Sequence, residues 1–375
     1  MNYRKRLETI KDQLQKKKLE AILVSSVPNI TYFTGYSNFS KDEREAFLLI
    51  TKNKSYIFTD GRYSEVIQKN VTHFALMEIS STLPFKKLLE QLVKKNNLKR
   101  IGFEENNLTV SEYHRISSLA SFSPFDVSSA RTIKEQNEIS FIEQACGLGD
   151  KAFNHVLKII RPGISEKDLS FELEYFIKRN GADISFPPIV AFGTNSSVPH
   201  HQTGGQKLEH GDIVLLDFGV KINNYCSDMT RTLFFGKTSP RQRKIYNTVL
   251  EAQQQALDFL NSCFMIHNSG SKSLNASDVD RVARDYIILK GYPPIPHSLG
   301  HGVGLEVHES PRLSPTSKER LTQGMVFSVE PGIYLPAGRQ GLPGFGGVRI
   351  EDLFAIEKDG LRQLTHASKE RTEIA

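Results

Sequence analysis

Two aspartates on one short hairpin constrain this chain more than anything else in it. The segment Asp212–Ile222, Asp-Ile-Val-Leu-Leu-Asp-Phe-Gly-Val-Lys-Ile, is a run of strand formers, and Tyr225–Phe235 reads as the return strand. Asn223-Asn224 between them suits a two-residue hairpin turn. With Ile222 opposite Tyr225, Asp217 falls opposite Thr230 and Asp228 opposite Gly219. Asp217 lies five residues before Ile222 and Asp228 three after Tyr225. Both offsets are odd, so the two carboxylates project from one face as diagonal neighbours. Gly219, with no side chain, is expected to leave room for an ion. A lone aspartate here would read as a solvated acid on a surface hairpin. Two on one face after Ile-Val-Leu-Leu call for positive charge, because a carboxylate beside apolar surface is costly when uncompensated.

Two further clusters supply matching chemistry. In His297-Ser-Leu-Gly-His301-Gly-Val-Gly-Leu-Glu-Val-His308-Glu309 the glycines argue against a helix, and no His-Glu-x-x-His motif is present. Imidazole is a common ligand of transition metals. We read His301 as the ligand, its flanking glycines allowing the backbone close to a metal. His308 reads as a proton or hydrogen-bond donor to substrate. Taken alone, either histidine could equally be a hydrogen-bonded turn residue. In Phe327-Ser-Val-Glu330-Pro-Gly-Ile-Tyr, Glu330 ends a strand at a Pro-Gly turn. In Gly346-Gly-Val-Arg349-Ile-Glu351-Asp, Val348 and Ile350 share one face, and Arg349 and Glu351 the other. Arg349 is either a salt-bridge partner or an anchor for a substrate carboxylate or carbonyl. Four carboxylates, Asp217, Asp228, Glu330 and Glu351, would neutralise two divalent cations, the arithmetic of a two-metal hydrolytic site.

The rest of the chain bounds the setting. Its 375 residues exceed a usual single core. Residues 1–125 alternate strand-like and helical stretches, an α/β domain, and a boundary falls near Ser123–Ala130. Residues 131–375 form the second domain, with helices expected over 134–160, 166–179, 241–260 and 276–290. Helices covering one side of a curved, mainly antiparallel sheet make an α+β layer. No internal repeat is visible. The content of 39% hydrophobic and 24% charged residues is that of a globular protein. No apolar run suffices to cross a membrane, and the charged N-terminal helix lacks a signal-peptide core. Cys146, Cys226 and Cys263 show no paired spacing, which suits a reducing, cytoplasmic setting. Cys226 shares Asp228's face by alternation and reads as a small packed residue. The net charge of +6 comes from scattered basic residues. Solvated helix faces explain them better than nucleic-acid binding does. Asp217-Phe-Gly matches a kinase magnesium motif, but no kinase catalytic loop accompanies it.

The order Asp217, Asp228, His301, Glu330, Glu351 resembles that of the Xaa-Pro aminopeptidase and prolidase family, dinuclear metallopeptidases of the pita-bread fold. Val198-Pro-His200-His, Pro28-Asn-Ile-Thr-Tyr-Phe-Thr-Gly35 and Phe58-Thr-Asp-Gly-Arg-Tyr63 extend the likeness over nearly the whole chain. The resemblance implies an N-terminal creatinase/prolidase-type domain and a C-terminal pita-bread catalytic domain. Asp228 and Glu351 would bridge two metal ions, Asp217 would serve one, and His301 and Glu330 the other. A bridging hydroxide would attack the scissile carbonyl, with Glu330 shuttling a proton. His200 and His308 would hydrogen-bond the substrate, and Arg349 would position it. An oxygen-rich donor set with one imidazole suits manganese, with cobalt or zinc as alternatives. The implied substrates are peptides with proline at the second position, and the implied assembly is a homodimer. The activity expected is that of an Xaa-Pro aminopeptidase. An Xaa-Pro dipeptidase is the alternative, ahead of a methionine aminopeptidase or a non-catalytic peptide-binding module. The stretches 261–273 and 335–345 look longer than the family's turns; 335–345 either lines the mouth of the site or is a neutral surface insertion, and the neutral reading is the one expected.

Overall fold

Short all-apolar strands need cover on both faces, and the N-terminal third is rich in them. In this computed structural model, which describes residues 1–267, 274–336, 344–370 and 373–374, the chain divides into two compact units, Met1–Arg131 and Thr132–Ala375. The first unit is a six-stranded mixed sheet in the order Ala75–Ile79, Ser55–Asp60, Ala46–Thr51, Ala21–Val24, Arg100–Phe103, Ser121–Pro124. Helix Phe85–Lys95 buries Leu88, Leu89, Leu92 and Val93 against Ala21, Leu23, Phe47 and Leu49 of that sheet. At the start of helix Val27–Thr34 the buried Glu104 carboxylate accepts from Ser26 N at 2.8 Å and Ser26 Oγ at 2.9 Å. A carboxylate there also complements the helix dipole.

The second unit is built on two hairpins, each shared between two sheets. In the first, Ile213–Phe218 pairs with Met229–Phe235 without a register shift, placing Asp217 opposite Thr230 and Ile222 opposite Tyr225. Asn223 and Asn224 have φ of 49° and 72°, so both take the left-handed conformation that such a turn demands. The expected continuous strands are interrupted. The chain leaves one sheet at Gly219 and re-enters it after Asp228; between these points Val220–Ile222 and Tyr225–Cys226 belong to a separate three-stranded sheet. Ser185 explains part of the break, since its hydroxyl donates to the carbonyls of Val220 and Ser227, both at 2.9 Å. The room expected beside Gly219 is also taken. A Cβ there would overlap the Ser227 carbonyl and crowd Ser185 and Phe186. Glycine at 219 serves backbone packing rather than an ion.

The second hairpin repeats this plan. Val326–Val329 pairs with Asp352–Glu357, and Gly332–Leu335 pairs with Gly346–Arg349 in a different sheet. Glu330-Pro331 is thus not a turn: the chain runs straight on from one sheet into the next. The partner strand crosses at Ile350-Glu351, directly opposite.

Period-2 alternation then sorts the faces. Val214, Leu216, Phe218, Leu233 and Phe235 pack under helices Gln136–Val156 and Glu166–Arg179. Phe327, Val329, Ile333, Val348 and Ile350 pack under helices Pro240–His267 and Ala276–Leu289. The polar faces of the two hairpins therefore meet. Helix Pro240–His267 runs past the end expected at 260, so 261–267 is helical and not a loop; residues 268–273 of that stretch, and 337–343 of the other, lie outside the described residues. Among the described residues no helix is long and apolar enough to cross a membrane.

Candidate metal centre

Where the hairpins face each other, hydrogen bonds join residues more than a hundred positions apart. The Thr230 hydroxyl donates to Glu351 Oε2 at 2.7 Å and accepts from Arg349 Nε at 2.9 Å. Arg349 Nη2 donates to Asp217 Oδ2 at 2.6 Å, and its Nη1 to the Tyr334 hydroxyl at 2.9 Å. Glu351 N donates to Thr230 O at 3.1 Å. Arg349 thus spans both hairpins and orients Asp217 through its rigid fork, in the salt-bridge role.

His301 enters from a third element, the strand Gly300–Gly302. A Cβ on Gly300 would overlap the Ser328 carbonyl, and one on Gly302 the Ser310 carbonyl. The flanking glycines thus admit neighbouring strand backbone, which holds His301 in place. Ser328 Oγ accepts from His301 N at 3.1 Å and donates to Glu330 Oε1 at 3.3 Å. His301 Nε2 lies 3.3 Å from Glu330 Oε1 and 3.7 Å from Asp228 Oδ2. One ligand atom each from Asp228, His301 and Glu351 lie within 4.8 Å of one another, and all three residues are buried. With Nδ1 donating to Gly302 O at 3.2 Å, Nε2 is the atom left to bind a metal.

The electrostatics show a demand for cations. Burial, then the charges of Glu351, Asp217 and Glu330, push the Asp228 carboxyl well above the usual range. Burial, then Glu330 and Asp217, push Glu351 up to about 8. Asp217 is also raised by burial, against the pull of Arg349. Glu330 goes the other way: burial opposes its ionisation, but the hydrogen bond and charge of His301, with His297 and Arg349, hold it down at about 2. His301 in turn is raised to about 9, burial being outweighed by Glu330 and Glu351. Asp228 Oδ1 and Glu351 Oε1 are buried with no hydrogen-bond partner among the described residues. Unpartnered buried carboxylate oxygens are costly. Two of them on residues whose ligand atoms lie together with His301 fit a divalent cation.

His200 and His308 are exposed. The His308 ring stands edge-on to His301, centroids 4.3 Å apart. Partial burial, then the charge of His301, lower its pKa, so it is neutral at neutral pH. The structure thus brings Asp228, His301 and Glu351 within reach of one another, joins Glu330 to His301 and Asp217 to Arg349, and sets His308 against His301. Sequence reasoning missed Thr230, whose place opposite Asp217 was a usable signal. It also missed Tyr334 and His297, joined at 2.9 Å. The buried pair Arg231–Asp352, at 2.6 Å, lies on the opposite faces of the same strands and also went unread. Arg231 further donates to the Glu351 carbonyl at 2.6 Å, so it fixes the backbone of a candidate ligand.

Comparison with known proteins agrees with this geometry. Residues 140–358 match metallopeptidase family M24, and residues 6–134 match the creatinase/prolidase N-terminal domain. An uncharacterized peptidase of Bacillus subtilis, YqhT, is 36% identical, the match covering 97% of this chain and 99% of that protein. Among solved structures, an Xaa-Pro dipeptidase from Bacillus anthracis superposes with a TM-score of 0.88 at 34% identity, over 99% of this chain and 100% of that one. An X-Pro aminopeptidase from Thermotoga maritima gives 0.83 at 31%, over 98% and 100%. The crossed hairpins and their helix pairs are accordingly a pita-bread domain following a creatinase-type N-terminal domain, and the chain belongs to metallopeptidase family M24.

Proposed function

We propose that this protein hydrolyses the bond between an N-terminal residue and proline, with two divalent metal ions held by Asp217, Asp228, His301, Glu330 and Glu351. The observation that carries this reading is the pair of unpartnered buried oxygens, Asp228 Oδ1 and Glu351 Oε1, on two residues that lie together with His301. Both carboxylates sit where a strand changes sheet and would hold the ions between the hairpins. Asp217, oriented by Arg349, and His301 and Glu330, oriented together by Ser328, would complete the donor set. The donor set of oxygens with one imidazole favours manganese, with cobalt or zinc as alternatives. Bound divalent ions supply an activated water and polarise the scissile carbonyl.

The chain's own residues do the rest. Glu330, ionised throughout the neutral range, would accept a proton and pass it to the departing nitrogen. Neutral His308 and the exposed His200 offer N–H donors to the substrate at the rim. A proline nitrogen has no hydrogen and its ring fixes φ, so a site adapted to it recognises shape rather than a backbone donor. The sequence motifs favour an Xaa-Pro aminopeptidase. The likeness to the Bacillus anthracis Xaa-Pro dipeptidase favours the alternative, a site restricted to dipeptides.

The test is hydrolysis of an Xaa-Pro dipeptide and a longer Xaa-Pro-Xaa-Xaa peptide, side by side, by metal-stripped protein reconstituted with Mn²⁺. Cleavage of the longer peptide at the Xaa-Pro bond makes it an aminopeptidase, and cleavage of the dipeptide alone a dipeptidase. Metal-independent rates, or none on either substrate, refute the reading.

A further inference from the structure

A buried carboxylate outside the metal cluster gathers the loop that carries His200. Helix Glu166–Arg179 begins after Ser165, whose side chain caps it in a reciprocal box with Asp168. The first helical residue, Glu166, points inward and is 0% exposed. A charge buried so completely is tolerated only when its acceptor sites are filled. They are, and from one place. Oε1 accepts from Phe192 N at 2.9 Å and Asn195 Nδ2 at 2.8 Å. Oε2 accepts from Gly204 N at 2.9 Å and lies 3.0 Å from His201 Nε2.

All four partners lie in residues 192–204, which run from the last residue of strand Ile189–Phe192 through a single 3-10 turn, Gly193–Ser197, into irregular chain. Pro199 and His200 stand between the two pairs. The Pro199 carbonyl accepts from Arg349 Nη1 at 3.4 Å, a weak tie between this loop and the centre. Past the 3-10 turn the chain has no strand pairing, so side-chain hydrogen bonds hold it. Ser196 ties its first half, its hydroxyl accepting from Gly347 N at 2.8 Å. The half bearing His200 is held at Thr203, whose hydroxyl accepts from Val190 N at 2.9 Å and donates to Pro188 O at 3.0 Å, and at Gly204, whose carbonyl accepts from Lys167 N at 3.1 Å; Glu166 adds its grip on Gly204 and on His201, the residue next to His200.

We infer that Glu166, acting through His201, is a positioning residue that sets where His200 meets the substrate. The inference rests on the reading of His200 as a substrate-contacting residue. Glu166→Gln keeps the shape but turns one acceptor oxygen into a donor, which must then face two of the four existing donors.

The experiment compares Glu166→Gln, His200→Ala and the double variant as Mn²⁺-loaded enzymes on an Xaa-Pro substrate. Histidine-selective NMR of each provides a readout independent of activity. Glu166→Gln should lower kcat/KM on the order of 10–100-fold, the cost of a misplaced group, with the same split between kcat and KM as His200→Ala. In the His200→Ala background it should cost less than about threefold, because coupled residues are not additive. His200 and His201 resonances should move while those of His301 and the bound Mn²⁺ stoichiometry stay unchanged. His201→Gln, which keeps a side-chain N–H donor, should retain more activity than His201→Ala, and this pair serves if Glu166→Gln fails to fold. Effects that multiply in the double variant, unmoved His200 resonances or lost metal would overturn the inference. An inert His200→Ala with shifted His200 resonances in Glu166→Gln would instead remove the role given to His200 and leave the positioning intact.

Discussion

Stripping the metal from this protein should make its stability fall as pH rises from 5 to 8, and restoring divalent ions should reverse the trend. The reasoning starts at Glu351, whose carboxyl stands at about 8 in the folded chain against an ordinary 4.5. A raised folded-state pKa means that the folded state holds the proton more tightly than the unfolded one. Its stabilising contribution is complete below 4.5 and is lost as pH climbs through 8. Asp228, also raised, acts with the same sign. His301, raised to about 9, gives a contribution that is present below 6.5 and lost toward 9. Glu330, held at about 2, contributes above 4.5 and loses that only on acidification toward 2, so it is constant across this window. For Glu351 alone the full contribution is about 5 kcal/mol at 1.36 kcal/mol per pH unit, of which about 3–4 kcal/mol is lost between pH 5 and 8. Interacting carboxylates share protons, which reduces the net loss to roughly 2–4 kcal/mol. In a unit the size of Thr132–Ala375 that corresponds to a drop of roughly 5–15 °C in Tm. Divalent cations require the same groups deprotonated, so the gain in Tm from Mn²⁺ should grow over the same pH range. The assay is thermal unfolding of metal-free and Mn²⁺-loaded protein at steps from pH 5 to 8. A metal-free Tm that is flat or rises with pH, or a Mn²⁺ benefit that does not grow, would refute the reasoning.

Other substitutions test other links. Asp228→Ala should reduce bound Mn²⁺ from two ions per chain to at most one, measured by elemental analysis, with the circular dichroism spectrum retained; full activity would exclude the assignment. Arg349→Lys keeps the charge but cannot reach Asp217, Thr230 and Tyr334 together, so kcat/KM should fall about 100-fold or more while the fold survives. Arg231→Met leaves Asp352 buried with only Lys369, Gln253 and Thr365 as partners, and should cost roughly 3 kcal/mol in denaturant unfolding. Adding Asp352→Leu should recover part of that loss.

Much of this protein follows from local sequence rules. Alternation along Ile213–Phe218 and Met229–Phe235, with asparagines able to take positive φ at 223 and 224, fixes a hairpin register in which Asp217 must oppose Thr230. The same alternation puts Arg349 and Glu351 on one face and Val348 and Ile350 on the other. Those facts depend on neighbours along the chain, so they can be read from it. What the sequence could not contain is the meeting of the two hairpins. Thr230 reaches Glu351 and Arg349 reaches Asp217 only because two separate helix pairs cover the opposite apolar faces and leave the polar faces to each other. The breaks at Gly219 and at Glu330-Pro331 were invisible for the same reason: they are set by Ser185, Ser227 and the crossing strand. Glu166 reads in sequence as an ordinary first-turn acid, and only the folded loop of residues 192–204 turns it into a buried clamp. The choice of candidate ligands was therefore local information, whereas the charge balance, the orphaned oxygens and the supporting hydrogen bonds arise from burial, which only the tertiary structure creates.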